Sequence, residues 1–246
     1  MRAVLVGTGS PLVPMSAWRM LRARSARRYA RRVTSTLIDA AGSLFTKVPE
    51  GLRIIGGFGV WLLAGHTGRL TKDIDVVAES AEVLAEASSV LQSSGYRLSP
   101  MLASWVRATS KDSPRIDLAL HPVINPRSFE AMSLSHAFET IATEAGRVRV
   151  ATRSDLVRLK LLAHRERDFV DILQLVAADV AAHEVVSRAE NDDCERSLAE
   201  GCLLAASARA RGDLERDYES MVGRPVTQRQ LAAFDSLLQG IEKSSR

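Results

Sequence analysis

Two aspartates, Asp73 and Asp75, stand two residues apart in the run Thr71-Lys72-Asp73-Ile74-Asp75-Val76-Val77. On an extended strand such residues project from the same face, so both carboxylates reach toward one point. Hard oxygen donors in that arrangement suit Mg²⁺ (or Mn²⁺), which binds through one or two carboxylates together with substrate phosphates. Upstream, Gly56 and Gly57 separate the apolar run Leu52 to Ile55 from a second apolar run, Phe58 to Ala64. Glycines remove side chains where a phosphate group must approach backbone N–H groups. A helix opening just after them adds the positive end of its dipole. These residues describe a site for a divalent cation and a nucleotide phosphate.

Positioning them requires a strand at Leu52 to Ile55, a glycine turn, a short helix over Phe58 to Ala64, a polar turn and a second strand that carries the aspartates. A bare Asp-x-Asp arises easily by chance; the specificity lies in the whole order. A third carboxylate, Asp117, lies in Arg115 to Leu120 (RIDLAL), where Ile116, Leu118 and Leu120 alternate to one face. Read alone, Asp117 is either an outward polar residue of an amphipathic strand or a third metal-site acid, which could complete an oxygen shell and help deprotonate a hydroxyl. Farther on, Thr152-x-x-Asp155 has the form of a capping box opening a helix with Leu156, Leu159, Lys160 and Ala163. Asp168 and Asp171 follow three residues apart, on one face of a helix. Asp171 either pairs with Lys160 and holds it, or touches the nucleotide or acceptor. Asp168 fits an ion pair with a nearby arginine equally well.

The order strand, Gly56-Gly57, helix, Arg69-x-Thr71-x-Asp73-x-Asp75 resembles the signature of the DNA polymerase β-like nucleotidyltransferase superfamily. Lys160, Ala163, Arg167, Asp168 and Asp171 resemble the second motif of its AbiEii/AbiGii toxin (MenT-like) family, with Ile172 in place of a leucine and a shorter turn. The resemblance implies a metal-dependent transfer of a nucleoside monophosphate from an NTP to an acceptor hydroxyl. It further implies that Asp73, Asp75 and Asp117 hold Mg²⁺ or Mn²⁺, and that Gly56, Gly57, Arg69, Thr71 and Lys160 hold the triphosphate. Asp171 joins the catalytic set. The acceptor would be RNA, a tRNA 3′ end in particular, and the partner a cognate antitoxin. Two other readings stand beside this one. A small-molecule nucleotidyltransferase of the aminoglycoside-modifying kind shares the Gly-Gly and Thr-x-Asp-x-Asp layout. A non-catalytic nucleotide- or RNA-binding module would have lost an essential acid, whereas all three are present. The Lys160 to Asp171 motif favours the toxin type over the aminoglycoside type.

The rest of the chain supplies the frame. Val33, Leu37, Ala41 and Leu44 recur at helical spacing, which predicts a helix from about Ala30 to Phe45. Ser80 to Ser94 reads as a helix, Tyr96 to Leu98 and Trp105 to Thr109 as strands split by a turn at Pro100. Ser128 to Glu144 reads as helical and Arg147 to Ala151 as a strand. Past Asp179 the pattern is helical and carries no chemistry. Cys202, Leu203 and Ala206 suggest one helix, and Thr227-x-x-Gln230 caps another with Leu231, Phe234, Leu238 and Ile241 as its buried face. The expected fold is α+β: a nucleotidyltransferase core of mixed sheet with flanking helices over residues 30–151, then a helical C-terminal lobe over 152–246, with a basic N-terminal extension at 1–29.

At 246 residues and 46% hydrophobic content the chain is ordinary for a globular protein. No apolar run approaches the roughly 20 residues that span a bilayer, so no membrane role is expected. Cys194 and Cys202 fit neither a zinc spacing nor a disulfide framework, which suits a reducing cytoplasm. Of the five histidines none has metal-ligand spacing, and only His121, just after the Asp117 strand, is worth following. The net charge of +4 is unevenly placed, since the first 38 residues hold eight arginines and no acid. Such a segment is a solvated extension, a targeting sequence or an arm that contacts RNA phosphates.

Overall fold

The computed structural model describes residues 33–65, 71–101, 104–125 and 128–244. The expected basic extension, the start of the first helix, Arg69 and His66 lie outside these residues. The described residues begin in helix α1 (33–47), whose Leu37, Ala41, Leu44 and Phe45 are buried, as helical spacing requires. Strand β1 (Leu52–Ile55) follows and is buried along its whole length. At Gly56 the backbone turns directly into α2 (Gly56–Leu63), so the helix takes in both glycines rather than beginning after them. Strand β2 (Asp73–Ala78) alternates half-buried Asp73 and Asp75 with buried Ile74 and Val76. Helix α3 (Ala81–Ser93) begins where the Ser80 hydroxyl accepts a hydrogen bond from Val83 N.

Strands β3 (Arg97–Pro100), β4 (Trp105–Thr109) and β5 (Arg115–Leu120) come next. Pro100 ends β3, paired with Val106, instead of forming the turn; as β3 is an edge strand, the missing N–H costs no ladder bond there. The short strands β6 (Val123–Ile124) and β7 (Ala131–Met132) make a separate hairpin. The expected helix over Ser128 to Glu144 is absent: its second half is strand β8 (Phe138–Thr143), joined by a tight turn to β9 (Gly146–Ala151). Along β8 exposure alternates residue by residue, a period of two. Thr140, Ile141 and Thr143 are β-branched, which favours a strand over a helix.

The seven strands form one mixed sheet in the order β3-β4-β5-β2-β1-β9-β8. Strand β2 lies inside it, antiparallel to β1 and parallel to β5. The fold is therefore α+β, a mixed sheet with flanking helices, as expected. Six helices follow: α4 (Arg153–Ala163), α5 (Glu166–Leu175), α6 (Ala182–Asn191), α7 (Glu195–Ala210), α8 (Asp213–Val222) and α9 (Gln228–Ser244). Thr152 caps α4, its hydroxyl accepting from Asp155 N at 3.1 Å. The Asp155 carboxylate does not close the box; it accepts from Ser135 N at 3.0 Å and ties α4 to the segment before β8. The predicted box before α9 is reciprocal, with Gln230 N and Thr227 N each donating 3.2 Å to the other's side chain.

Helix α9 buries Leu231, Phe234, Leu237 and Ile241, and Leu238 only in part. The helix expected around Cys202, Leu203 and Ala206 is α7; its buried face is Leu198, Gly201, Ala205 and Ala208, and Leu203 is 72% exposed. The face is chosen by close approach, because a Cβ at Gly201 would stand 2.3 Å from the Leu161 carbonyl oxygen of α4. Helix α7 thus presses its smallest residues onto the helix that carries Lys160. Among the described residues no helix is long and apolar enough to cross a membrane. Both cysteines are free.

Candidate active site

The parallel β2–β5 ladder sets Asp75 opposite Asp117 and Asp73 opposite Arg115, while the antiparallel β4–β5 ladder sets Arg107 opposite Asp117. Side chains two apart on a strand, and partners across a ladder, share a face. One face of three adjacent strands therefore presents a row Asp75, Asp117, Arg107 and beside it a row Asp73, Arg115. The three predicted acids come together here, with two arginines among them that the sequence reading left unassigned.

The contacts follow from that row structure. Arg107 grips Asp117 with two parallel hydrogen bonds, Nε to Oδ1 at 2.9 Å and Nη2 to Oδ2 at 3.0 Å, the fork geometry that makes such pairs strong. Arg115 Nη2 donates to Asp73 Oδ2, and its Nε stands 3.4 Å from Asp117. Thr71 donates its hydroxyl to Asp73 Oδ1 at 2.8 Å. Asp75 differs: among the described residues no hydrogen bond or ion pair reaches its carboxylate. Burial, reinforced by the neighbouring Asp73 and Asp117 charges, pushes its pKa up to about 7, against the opposing pull of Lys160 and Arg115.

Gly56 stands directly against this carboxylate. Its φ is +66°, and a Cβ there would lie 1.9 Å from Asp75 Oδ2. Only glycine satisfies both the left-handed backbone and the clearance.

Across the cavity from the sheet, α4 and α5 carry a buried ionic cluster. Lys160 Nζ donates to Asp168 Oδ1 at 2.8 Å and to Asp171 Oδ2 at 2.6 Å. Arg165 also donates to Asp168. Lys160, Asp168 and Asp171 are all buried. Burial opposes the Lys160 charge, but the Asp171 and Asp168 carboxylates outweigh it and hold the ammonium pKa above its ordinary value. Burial likewise opposes the Asp168 charge, and Lys160 with Arg165 outweighs it, so the carboxyl titrates below its usual range. Of the two sequence-level options for Asp171, the structure shows the pairing with Lys160. An ammonium has three donors, and two are used here.

These two groups face one cavity of about 400 Å³, a normal size for a small-ligand site. Its polar lining includes Gly56, Gly57, Thr71, Asp73, Asp75, Arg107, Arg115, Asp117, Lys160, Arg165, Arg167 and Asp168. Its apolar wall is Met101, Trp105, Val123, Ile124, Met132 and Leu159. Asp171 lies behind Lys160. Arg69 lies outside the described residues. His121 is structural, its Nε2 accepting from Leu134 N at 3.0 Å, which requires the proton on Nδ1.

The donor types fit a hard divalent cation: three carboxylates on one sheet face, one of them paired with no described residue, and a glycine cleared of side chain against it. It is not a ready-made cage. Among the described residues no three His, Cys, Asp or Glu side chains are grouped so as to hold an ion, and Arg107 and Arg115 pair with Asp117 and Asp73. The arginines escaped the sequence reading for different reasons. Arg115 shares the Asp117 face by simple alternation and was legible; Arg107 depends on the β4–β5 register, which no local pattern reports.

No protein-family model matches the chain, and no curated protein matches it in sequence. Among solved structures the chain is similar to the lincosamide antibiotic adenylyltransferase LnuA, at 19% identity over 54% of this chain and 89% of that one, TM-score 0.40. It is similar to ANT(2″)-Ia in complex with adenylyl-2″-tobramycin, at 16% identity over 74% and 98% of the two chains, TM-score 0.46. It is also similar to an antigenic nucleotidyltransferase-like protein from Paracoccidioides brasiliensis, at 16% identity over 78% and 93%, TM-score 0.46. The functional reading rests on this chain's own site residues.

Proposed function

We propose that this protein is a nucleotidyltransferase that moves a nucleoside monophosphate from an NTP to a hydroxyl of RNA, of the AbiEii/AbiGii (MenT-like) toxin type. The observation that carries the reading is that Asp73, Asp75 and Asp117 share one sheet face and line one cavity with Gly56, Gly57 and Lys160. In the reaction the acceptor oxygen forms a bond to the α-phosphorus, the bond from that phosphorus to the β-bridging oxygen breaks, and pyrophosphate leaves. Mg²⁺ or Mn²⁺ held by Asp73, Asp75 and Asp117 would stabilise the charge on the attacking and leaving oxygens. The Gly56-Gly57 turn and the start of α2 take the triphosphate through backbone N–H groups. Lys160, fixed by Asp168 and Asp171, gives its remaining donor to a phosphate oxygen. Asp117 accepts the proton that the acceptor hydroxyl gives up. Arg69 and Thr71 complete the nucleotide contacts.

RNA is favoured over an aminoglycoside by the Lys160 to Asp171 motif, which resembles the toxin type; the cavity lining itself is nearly balanced, Arg107, Arg115, Lys160, Arg165 and Arg167 standing beside Asp73, Asp75, Asp117 and Asp168. The arginine-rich residues 1–29 would attract phosphates as an RNA-contacting arm, ahead of a catalytic core and a helical lobe. A cognate antitoxin would act as the partner.

The test is incubation with each labelled NTP, Mg²⁺ and total RNA, in parallel with a panel of aminoglycosides, and with Asp75→Asn as control. Label on RNA that the variant cannot add supports the reading. Label on an aminoglycoside transfers it to the small-molecule class. No label on any acceptor, with wild type and variant alike, removes it.

A further inference from the structure

Three carboxylates gathered on one sheet face repel each other, and something must hold them together before any substrate arrives. The structure shows what does. Arg107 closes on Asp117 through both nitrogens, and Arg115 closes on Asp73. The Asp117 side chain keeps only 7% of its exposure, whereas that of Arg107 keeps 35% and that of Arg115 40%. Arg107 is therefore more open than the carboxylate it grips, whereas Asp73, at 31%, is nearly as open as Arg115. Both cations line the same cavity as Gly56, Gly57 and Lys160. Arg115 Nε is buried and stands 3.4 Å from Asp117 Oδ2, an ion pair that makes no hydrogen bond.

We propose that Arg107 is an exchangeable counter-cation: it occupies Asp117 in the resting protein, is displaced when a divalent cation takes the carboxylates, and then serves the polyphosphate as a ligand. Arg115 makes the corresponding exchange at Asp73. The inference rests on the nucleotidyltransferase reading above and goes beyond it, since it gives these two arginines a task in both states.

The physical reasoning is one of competition. The guanidinium fork takes a lone pair on each Asp117 oxygen and sets a positive charge against them, so it competes with a hard cation for the same carboxylate. The bidentate pair therefore opposes binding of the ion by whatever free energy it supplies. The displaced guanidinium does not leave. Its backbone is fixed in β4, opposite Asp117, so it remains within reach of the cavity, where an anionic polyphosphate is the natural partner for a planar fork. Ion and nucleotide then assist each other: the ion frees the arginine, and the arginine rewards the anion. A purely structural ion pair would do neither.

The experiment is a Mn²⁺ titration followed by electron paramagnetic resonance, on the full chain without nucleotide. Wild type is compared with Arg107→Ala, Arg107→Lys, Asp117→Asn and the Arg107→Ala/Asp117→Asn double variant. Removing the competing fork is expected to tighten Mn²⁺ binding about tenfold in Arg107→Ala. Arg107→Lys, which keeps the charge and loses the fork, should fall between. The double variant should match Asp117→Asn, because the competition acts only through that carboxylate. With Mn²⁺ saturating, tripolyphosphate should bind several-fold more weakly to Arg107→Ala than to wild type.

Wild type that binds Mn²⁺, with Arg107→Ala and Arg107→Lys binding it no more tightly, overturns the exchange and leaves the nucleotidyltransferase reading in place. Unchanged tripolyphosphate affinity overturns the second task of Arg107. Wild type that binds no Mn²⁺, with or without tripolyphosphate, removes the underlying reading itself. Should Arg107→Ala fail to fold, the lysine variant carries the comparison.

Discussion

Replacing Lys160 by methionine separates its two tasks, and their magnitudes can be worked from the contacts. The ammonium sits between Asp168 at 2.8 Å and Asp171 at 2.6 Å, and both carboxylates are buried. Methionine keeps most of the volume and removes the charge. Breaking a buried pair by deleting one partner costs about 3–5 kcal/mol, since the other charge stays buried. Arg165 still reaches Asp168, so the low end applies, about 3 kcal/mol. For a chain of this size each kcal/mol moves the melting temperature about 2–4 °C, so Lys160→Met should melt about 6–12 °C lower. Adding Asp171→Asn removes one of the stranded charges and should restore part of the loss; a coupling of at least about 1 kcal/mol is expected between positions in direct contact. Nucleotide binding is then measured well below the melting range. If the third donor of Lys160 meets a phosphate oxygen, affinity for ATP falls about tenfold. A melting temperature within about 2 °C of wild type would refute the idea that Lys160 holds the two aspartates. Lower stability with unchanged ATP affinity would reduce Lys160 to a brace between α4 and α5.

The other predictions test neighbouring links. Asp75→Asn removes the site acid whose carboxylate pairs with none of the described residues, so nucleotide transfer should stop while the melting temperature holds or rises; retained transfer refutes its assignment. Gly56→Ala must force an L-residue into φ +66° and drive a methyl into Asp75, costing at least about 1–2 kcal/mol for the backbone alone. Mn²⁺ binding should be lost together with that stability, and a variant that keeps both shows the glycine to be incidental. The Lys160 cluster also has a defined pH range. Asp168 titrates below its unfolded value, so its contribution is present above about pH 4 and lost as pH falls through the folded pKa. Lys160 titrates above its unfolded value, so its contribution is present below about pH 10 and lost as pH rises through the folded pKa. Denaturant midpoints should be flat between those limits for this cluster, and Lys160→Met should remove the fall on the alkaline side.

What the sequence made legible, and what it did not, follows from how far each contact reaches along the chain. Asp73 and Asp75 are coupled by strand alternation alone, so local pattern sufficed; Gly56 was legible as a turn glycine, but it meets Asp75 only through the β1–β2 pairing. Lys160 and Asp171 are eleven residues apart on two consecutive helices, and the sequence offered their pairing as one of two options. Arg107 is different. Its partner is ten residues away across an antiparallel ladder, and shifting that ladder by one residue would turn Arg107 to the other face. No periodicity in Trp105 to Thr109 decides the shift. The helix expected over Ser128 to Glu144 failed for a related reason: β8 is an edge strand held by its pairing to β9, and half its side chains face solvent, so its apolar signal is weak. Cys202, Leu203 and Ala206 marked a helix but not its buried face, which the backbone contact of Gly201 to Leu161 decides. In each miss, pairing or close approach between distant segments overrode local hydrophobicity. The acids of a metal site are legible because the chemistry requires them adjacent on one strand; the cations that restrain them arrive by register, and that is where a fold can add control over a site without altering its motif.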